Sequence, residues 1–116
     1  MNAVTLSIFI WGIYVILIGL LLVFIPGKML AMCGQEEPKD HWARIAGIII
    51  ISLGYFYLNS AQNEVYSFYQ ASIYARFFGL IGFSGLAFFK MAKPRIIFFG
   101  IIDAFGAIWT LLALIN

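Results

Sequence analysis

The sequence predicts an all-α fold, an integral membrane antiparallel four-helix bundle, on three observations. Hydrophobic residues make up 64% and charged residues 10% of the 116 residues, against roughly 25% charge in a soluble domain, and the mean hydropathy is +1.01. Segments 3–25, 42–61, 71–89 and 96–115 are apolar runs, each long enough, at about 1.5 Å per residue, to cross a hydrocarbon core of about 30 Å. Six of the seven basic residues, Lys28, Lys39, Arg44, Lys90, Lys93 and Arg95, fall in or beside the first and third connections. That asymmetry assigns residues 26–41 and 90–95 to the cytoplasmic side of the cell's inner membrane and both termini to the other side. The four spans form a single domain.

The first span carries no charge and closes at Pro26 and Gly27, which break a helix and favour a turn. It is longer than the apolar core of a cleaved leader and lacks a basic start, so it reads as a retained span. Thr5, Gly12 and Gly19 recur every seven residues, a small-residue seam that lets apolar helices approach closely. Residues 27–41 read as a polar, solvated loop, with Trp42 anchoring the next helix at the interface. The lone cysteine, Cys33, has no partner for an internal disulfide. Cys33, Glu36, Glu37, Asp40 and His41 match no zinc or calcium ligand spacing, so no metal is expected.

On the second span Gly47, Gly54 and Ala61 make one seam, and Ser52, Tyr55 and Asn59 a second stripe roughly opposite, which predicts an interior helix. Arg44 lies in its first turn, where a guanidinium can snorkel to the interface. Residues 62–70, QNEVYSFYQ, read as a connection whose Tyr66, Phe68 and Tyr69 form an interfacial belt. The third span groups Ser72, Ala75, Arg76, Gly79 and Gly82 on one face, with Phe77, Ile81 and Phe88 opposite. The turn KMAKPR puts Pro94 near the start of the last helix. That helix, IIFFGIIDAFGAIWTLLALI, sets Gly100, Ala107, Thr110 and Leu114 on the side of Asp103, with Ile101, Phe105, Ile108 and Leu112 on the other.

Asp103 is the residue around which any chemistry is expected. A carboxyl group among acyl chains costs about 2.5 to 3.5 kcal/mol on insertion scales, so it turns toward protein, water or a partner charge. Arg76 approaches it from one side and Arg44 from the other, and spacing does not choose between them. Tyr55, Asn59, Ser72, Tyr74 and Thr110 are the polar groups expected around this centre. Trp11 and Trp109 lie at the depth of Arg76, with Trp109 turned away from Asp103. Three readings follow: a buried ion pair that fixes helix register, a polar pocket for a lipid or lipophilic ligand, and a coupling group for protons or ions. No nucleophile with its base, phosphate loop or metal triad is visible, so neither catalysis nor a cofactor is expected. A net charge of +2 gives no reason to expect nucleic acid.

From Trp42 onward, WARIAGIIIISLGYFYLNSAQ, FYQASIYARFFGL and GIIDAFGAIWTLLAL carry Arg44, Gly47, Tyr55, Arg76 and Asp103. In this layout the chain resembles small four-span bacterial proteins, DoxX-like proteins and, more distantly, the ergosterol-biosynthesis scaffold protein twenty-eight. The resemblance implies an accessory or scaffold role near lipid or redox enzymes and transfers no catalytic residue. By length and span count the chain is also similar to the small multidrug resistance transporters. Their first-span glutamate has no counterpart here, so that activity does not carry over. Nor does the third span look like the broken, threonine-rich third helix of fluoride channels.

The expected function is that of a non-catalytic accessory or assembly subunit, or a binder of a lipid or lipophilic ligand inside the bundle. Its expected partners are membrane lipids and either further copies of itself or a larger membrane protein. The alternative is a small dimeric proton- or ion-coupled transporter using Asp103, and an enzyme acting on a membrane lipid comes third.

Overall fold

Asn2 begins the first helix by accepting the Thr5 N–H on its side-chain oxygen at 2.9 Å, the capping role short polar side chains favour. The computed structural model describes residues 2–32, 34–35, 41–90 and 92–115, and it is all-α. Its helices are α1 (Ala3–Phe24), α2 (Pro26–Met32), α3 (Trp42–Gln62), α4 (Tyr66–Phe88) and α5 (Ile96–Ile115). Four of them, α1, α3, α4 and α5, are long and apolar enough to cross a membrane. The expected spans coincide with these helices to within a residue or two, except at the start of α4.

Two departures have clear physical causes. Residues 26–32 are helical where a loop is expected. Proline suits a first helical position because its missing N–H would be unpaired there, and Met29 and Leu30 are buried against Leu22 and Ala43, with Ile96 and Phe99 beside them. Past its end, Gly34 takes φ +76° and Gln35 donates to the Leu30 carbonyl at 2.8 Å, the glycine stop that closes many helices. The loop's other candidate groups, Cys33 and the acids at 36–40, lie outside the described residues.

The second departure is at α4, which starts at Tyr66 and leaves a turn of three residues, 63–65, after α3. Glu64 takes φ 53° there, and Val65 donates to the Ser60 carbonyl at 3.0 Å. Tyr69 is not part of an interfacial belt: it is 0% exposed. Its hydroxyl lies 3.1 Å from Thr5 Oγ1 and 3.3 Å from the Ser60 carbonyl, so it joins α1, α3 and α4 through polar contacts that the local aromatic pattern does not disclose.

α1 packs along α3 and α4 along α5, and the two pairs meet through α1 and α5, whereas α3 and α4 barely touch. The seam of the first pair is the expected one. A Cβ at position 12 would fall 3.2 Å from the Gly54 carbonyl, and one at position 19 would fall 2.8 Å from the Gly47 carbonyl. The two backbones are therefore in direct contact, with Thr5 and Ala61 buried on the same seam. The second stripe of α3 behaves differently. Ser52, Tyr55 and Asn59 are exposed, so α3 is a flank with one packed face instead of an interior helix.

These contacts forecast a contrast among the glycines. Gly19→Ala and Gly54→Ala push a methyl into backbone and should cost about 1 to 3 kcal/mol. A Cβ added at Gly82 or Gly85 would meet no neighbouring group within 4 Å among the described residues, so alanine there should be neutral or add up to about 1 kcal/mol through helix propensity. Thermal unfolding in detergent measures both.

Candidate functional site

The polar centre is built on one helical stripe of α4, where Ser72, Arg76 and Gly79 follow at three- and four-residue steps and so share a face. α5 presents Asp103, Gly106 and Thr110 in the same way, and α1 adds Ser7 and Trp11. Arg76 is 4% exposed. Its Nε donates to the Ser72 carbonyl at 3.3 Å, and its Nη2 to Ser72 Oγ at 3.1 Å and to Thr110 Oγ1 at 3.0 Å. The guanidinium carbon stands 5.0 Å from the centre of the Trp11 ring, within the range of a cation–π contact. Among the described residues Nη1 has no hydrogen-bond acceptor, and it lies against Gly106, where a Cβ would come within 3.1 Å of it.

The direction of the hydroxyl bonds follows from the arginine. A guanidinium only donates, so Thr110 Oγ1 accepts from it and has its own proton to give to Ser7 Oγ at 2.8 Å or to the Gly106 carbonyl at 3.2 Å. Ser7 in turn donates to the Val4 carbonyl at 2.7 Å. Arg76, Thr110, Ser7 and Val4 thus form a relay that crosses from α4 over α5 to α1. Hydrogen bonds to a charged group are worth about 1.5 to 3 kcal/mol, more than neutral ones.

Asp103 does not pair with Arg76. Its Oδ2 lies where a side chain of residue 79 would begin, 2.9 Å from an ideal Cβ on Gly79. The two charges are thus placed reciprocally, Arg76 over Gly106 of α5 and Asp103 over Gly79 of α4. Three residues separate each charge from the glycine on its own helix, an axial offset of about 4.5 Å. Each charge still feels the other through space, but Arg76 spends its hydrogen bonds on Ser72 and Thr110. Asp103 is half-buried, and among the described residues no group donates to it.

The expected site residues therefore divide. Asp103, Arg76, Ser72 and Thr110 come together. Arg44 does not join them: its Nη1 donates to the Val23 carbonyl at 2.8 Å, at the carboxyl end of α1, where a cation also meets the negative end of the helix dipole. Tyr55 is 60% and Tyr74 78% exposed, and Asn59 also points outward. Ser7 and Trp11 belong to the centre, and a four-residue step places both on one face of α1, which is the signal that could have found Ser7. Trp109 is exposed on the outer side of α5, as the helical wheel requires.

Among the described residues no group of three His, Cys, Asp or Glu side chains could hold a metal. A shallow cleft of about 380 Å³, lined by Asn2, Val4, Tyr66 and Leu114 among others, lies at the amino end of α1, apart from this centre.

A double-mutant cycle tests the wiring. Arg76→Met with Thr110→Val should show a coupling of about 1 kcal/mol or more, because the two share a direct bond. Arg76→Met with Asp103→Asn should show less. Detergent unfolding of the single and double variants reads both couplings, and a larger value for the second pair would contradict the geometry. No protein-family model, curated protein or solved structure matches this chain.

Proposed function

We propose that the chain is an integral membrane protein, with α1, α3, α4 and α5 as spans and both termini on the non-cytoplasmic side of the inner membrane. Residues 26–41 and 90–95 are then cytoplasmic. The helices support this reading by their length and hydropathy, and by large apolar side chains exposed on each of them, such as Leu17, Ile49, Phe78 and Leu112. The basic residues support the orientation by their one-sided distribution.

Within the membrane the protein acts without catalysis, as an accessory or assembly subunit that holds a lipophilic partner, either a lipid-like molecule or an apolar helix, against α4 and α5. The observation that carries this reading is Asp103. A half-buried carboxylate to which no group donates among the described residues, midway along an apolar helix, favours a partner that brings a donor to it. Along α4 the surface beyond Gly79 continues through Gly82 and Gly85, beside which there is open space. An apolar chain or helix can lie close there, since no side chain stands in the way. The rival reading, a small dimeric transporter that loads a proton or cation on Asp103, draws on the same unpaired acid.

Native mass spectrometry from membranes, followed by flux measurements in proteoliposomes, separates the two. The binding reading expects a stoichiometric lipid or protein companion that is lost in Asp103→Asn and in Gly82→Leu, with detergent stability retained. A bare, delipidated chain with proton-coupled flux that Asp103→Asn abolishes would replace it with transport.

A further inference from the structure

Outside the polar centre, the most strongly charged surface is the end of the molecule where α2 and the turn between α4 and α5 meet. Lys28, Arg44, Lys90, Lys93 and Arg95 are all exposed there, and they come from three separate stretches of chain. Neither Glu64 nor Asp103, the acids within the described residues, lies at this end. Counted over residues 26–45 and 90–95, the sequence holds six basic and three acidic residues, a net positive balance.

The two sides of this end are tied together. Gln35 clasps the turn from the α2 side: its Oε1 accepts the Lys93 N–H at 3.0 Å, and its Nε2 donates to the Lys93 carbonyl at 3.2 Å. Arg95 Nη1 donates to the Ala31 carbonyl at 3.4 Å, and the stem of Arg95 lies against Gly34. Lys90 takes φ 61°, a left-handed conformation that glycine adopts without penalty and lysine does not. A cation occupies a position that the turn alone would give to glycine. Within four residues of one or another of these charges in the sequence, Phe24, Trp42, Phe88, Phe89 and Phe98 are exposed. Cations beside a collar of aromatic rings match the headgroup and upper acyl region of a phospholipid, and their sign selects an anionic one.

We propose that this end binds the headgroups of anionic phospholipids, through Lys28, Lys90 and Lys93 on the α2 and turn surfaces that the Gln35 clasp joins. The inference rests on the four-span membrane reading and adds a headgroup preference to it. Acidic lipids bound here would tie α2 and the α4–α5 turn to one leaflet, separately from whatever partner meets Asp103.

The test reconstitutes the full chain in nanodiscs of equal parts phosphatidylcholine and phosphatidylglycerol and counts retained lipids by native mass spectrometry. The wild type should retain phosphatidylglycerol preferentially. The triple variant Lys28→Gln, Lys90→Gln, Lys93→Gln should lower that preference by about fivefold or more, while Glu64→Gln at the opposite end leaves it unchanged. The three lysines are exposed, and the Gln35 clasp uses the backbone of Lys93 and no lysine side chain, so the variant leaves that contact in place. Equal retention of both lipids by the wild type, or an undiminished preference in the triple variant, overturns the proposal and leaves the membrane reading standing. A chain that stays outside the discs overturns both.

Discussion

A guanidinium cut off from water must find its acceptors in the protein, and the middle of this structure is arranged around that requirement. Arg76 reaches a backbone carbonyl and a hydroxyl on its own helix and a hydroxyl on α5, with an indole from α1 beneath it. Removing any one acceptor would leave a buried charge under-solvated, which costs far more than the mean worth of a hydrogen bond. The positions of α1 and α5 relative to α4 are thereby constrained through polar atoms. The surrounding apolar residues, which are interchangeable to a first approximation, do not supply that constraint.

The two helix pairs are held by different physics. Between α1 and α3 the contact is steric: Gly12 and Gly54, and Gly19 and Gly47, bring carbonyl oxygens to within contact of the opposite backbone. Such an interface has a single register, because a shift by one residue would set a side chain where only hydrogen fits. Between α4 and α5 the glycines serve charges instead, since Gly79 makes room for a carboxylate and Gly106 for a guanidinium and an indole. The same residue type thus produces a dry backbone seam in one pair and a polar recess in the other.

This difference governs what could be read from the sequence. The spans were legible because twenty-residue apolar runs have few alternatives, and the Thr5, Gly12, Gly19 seam because its seven-residue period is regular. Helix α2 was hidden since its two buried residues, Met29 and Leu30, are too short a signal to stand out beside a proline and a polar stretch. The burial of Tyr69 is not legible in the sequence, because a tyrosine at a span boundary carries the same local signature whether it faces an interface or a hydroxyl on another helix. At the centre, the helical wheel brought Asp103, Arg76, Ser72 and Thr110 to facing sides but could not fix the axial offset between α4 and α5. Arg44, Tyr55 and Asn59 lie on α3, which is packed on one face and has no second interior side to offer them, and Tyr74 lies on the exposed side of α4.

The axial offset also explains why two opposite charges at similar depth on adjacent helices remain unbonded. Were α4 and α5 shifted by one turn, the guanidinium would meet the carboxylate, but it would lose Thr110 and with it the relay through Ser7 to α1. Two hydroxyls and a carbonyl neutralise no charge, yet they satisfy several donors in fixed directions and draw α1 into the contact, which a single carboxylate on α5 does not do. The observed register therefore favours the multi-helix solution for the cation over the pairwise one. Its consequence is that Asp103 is the member of the centre that the fold does not employ, and a costly group that the fold does not employ is where an external contact has the most to contribute.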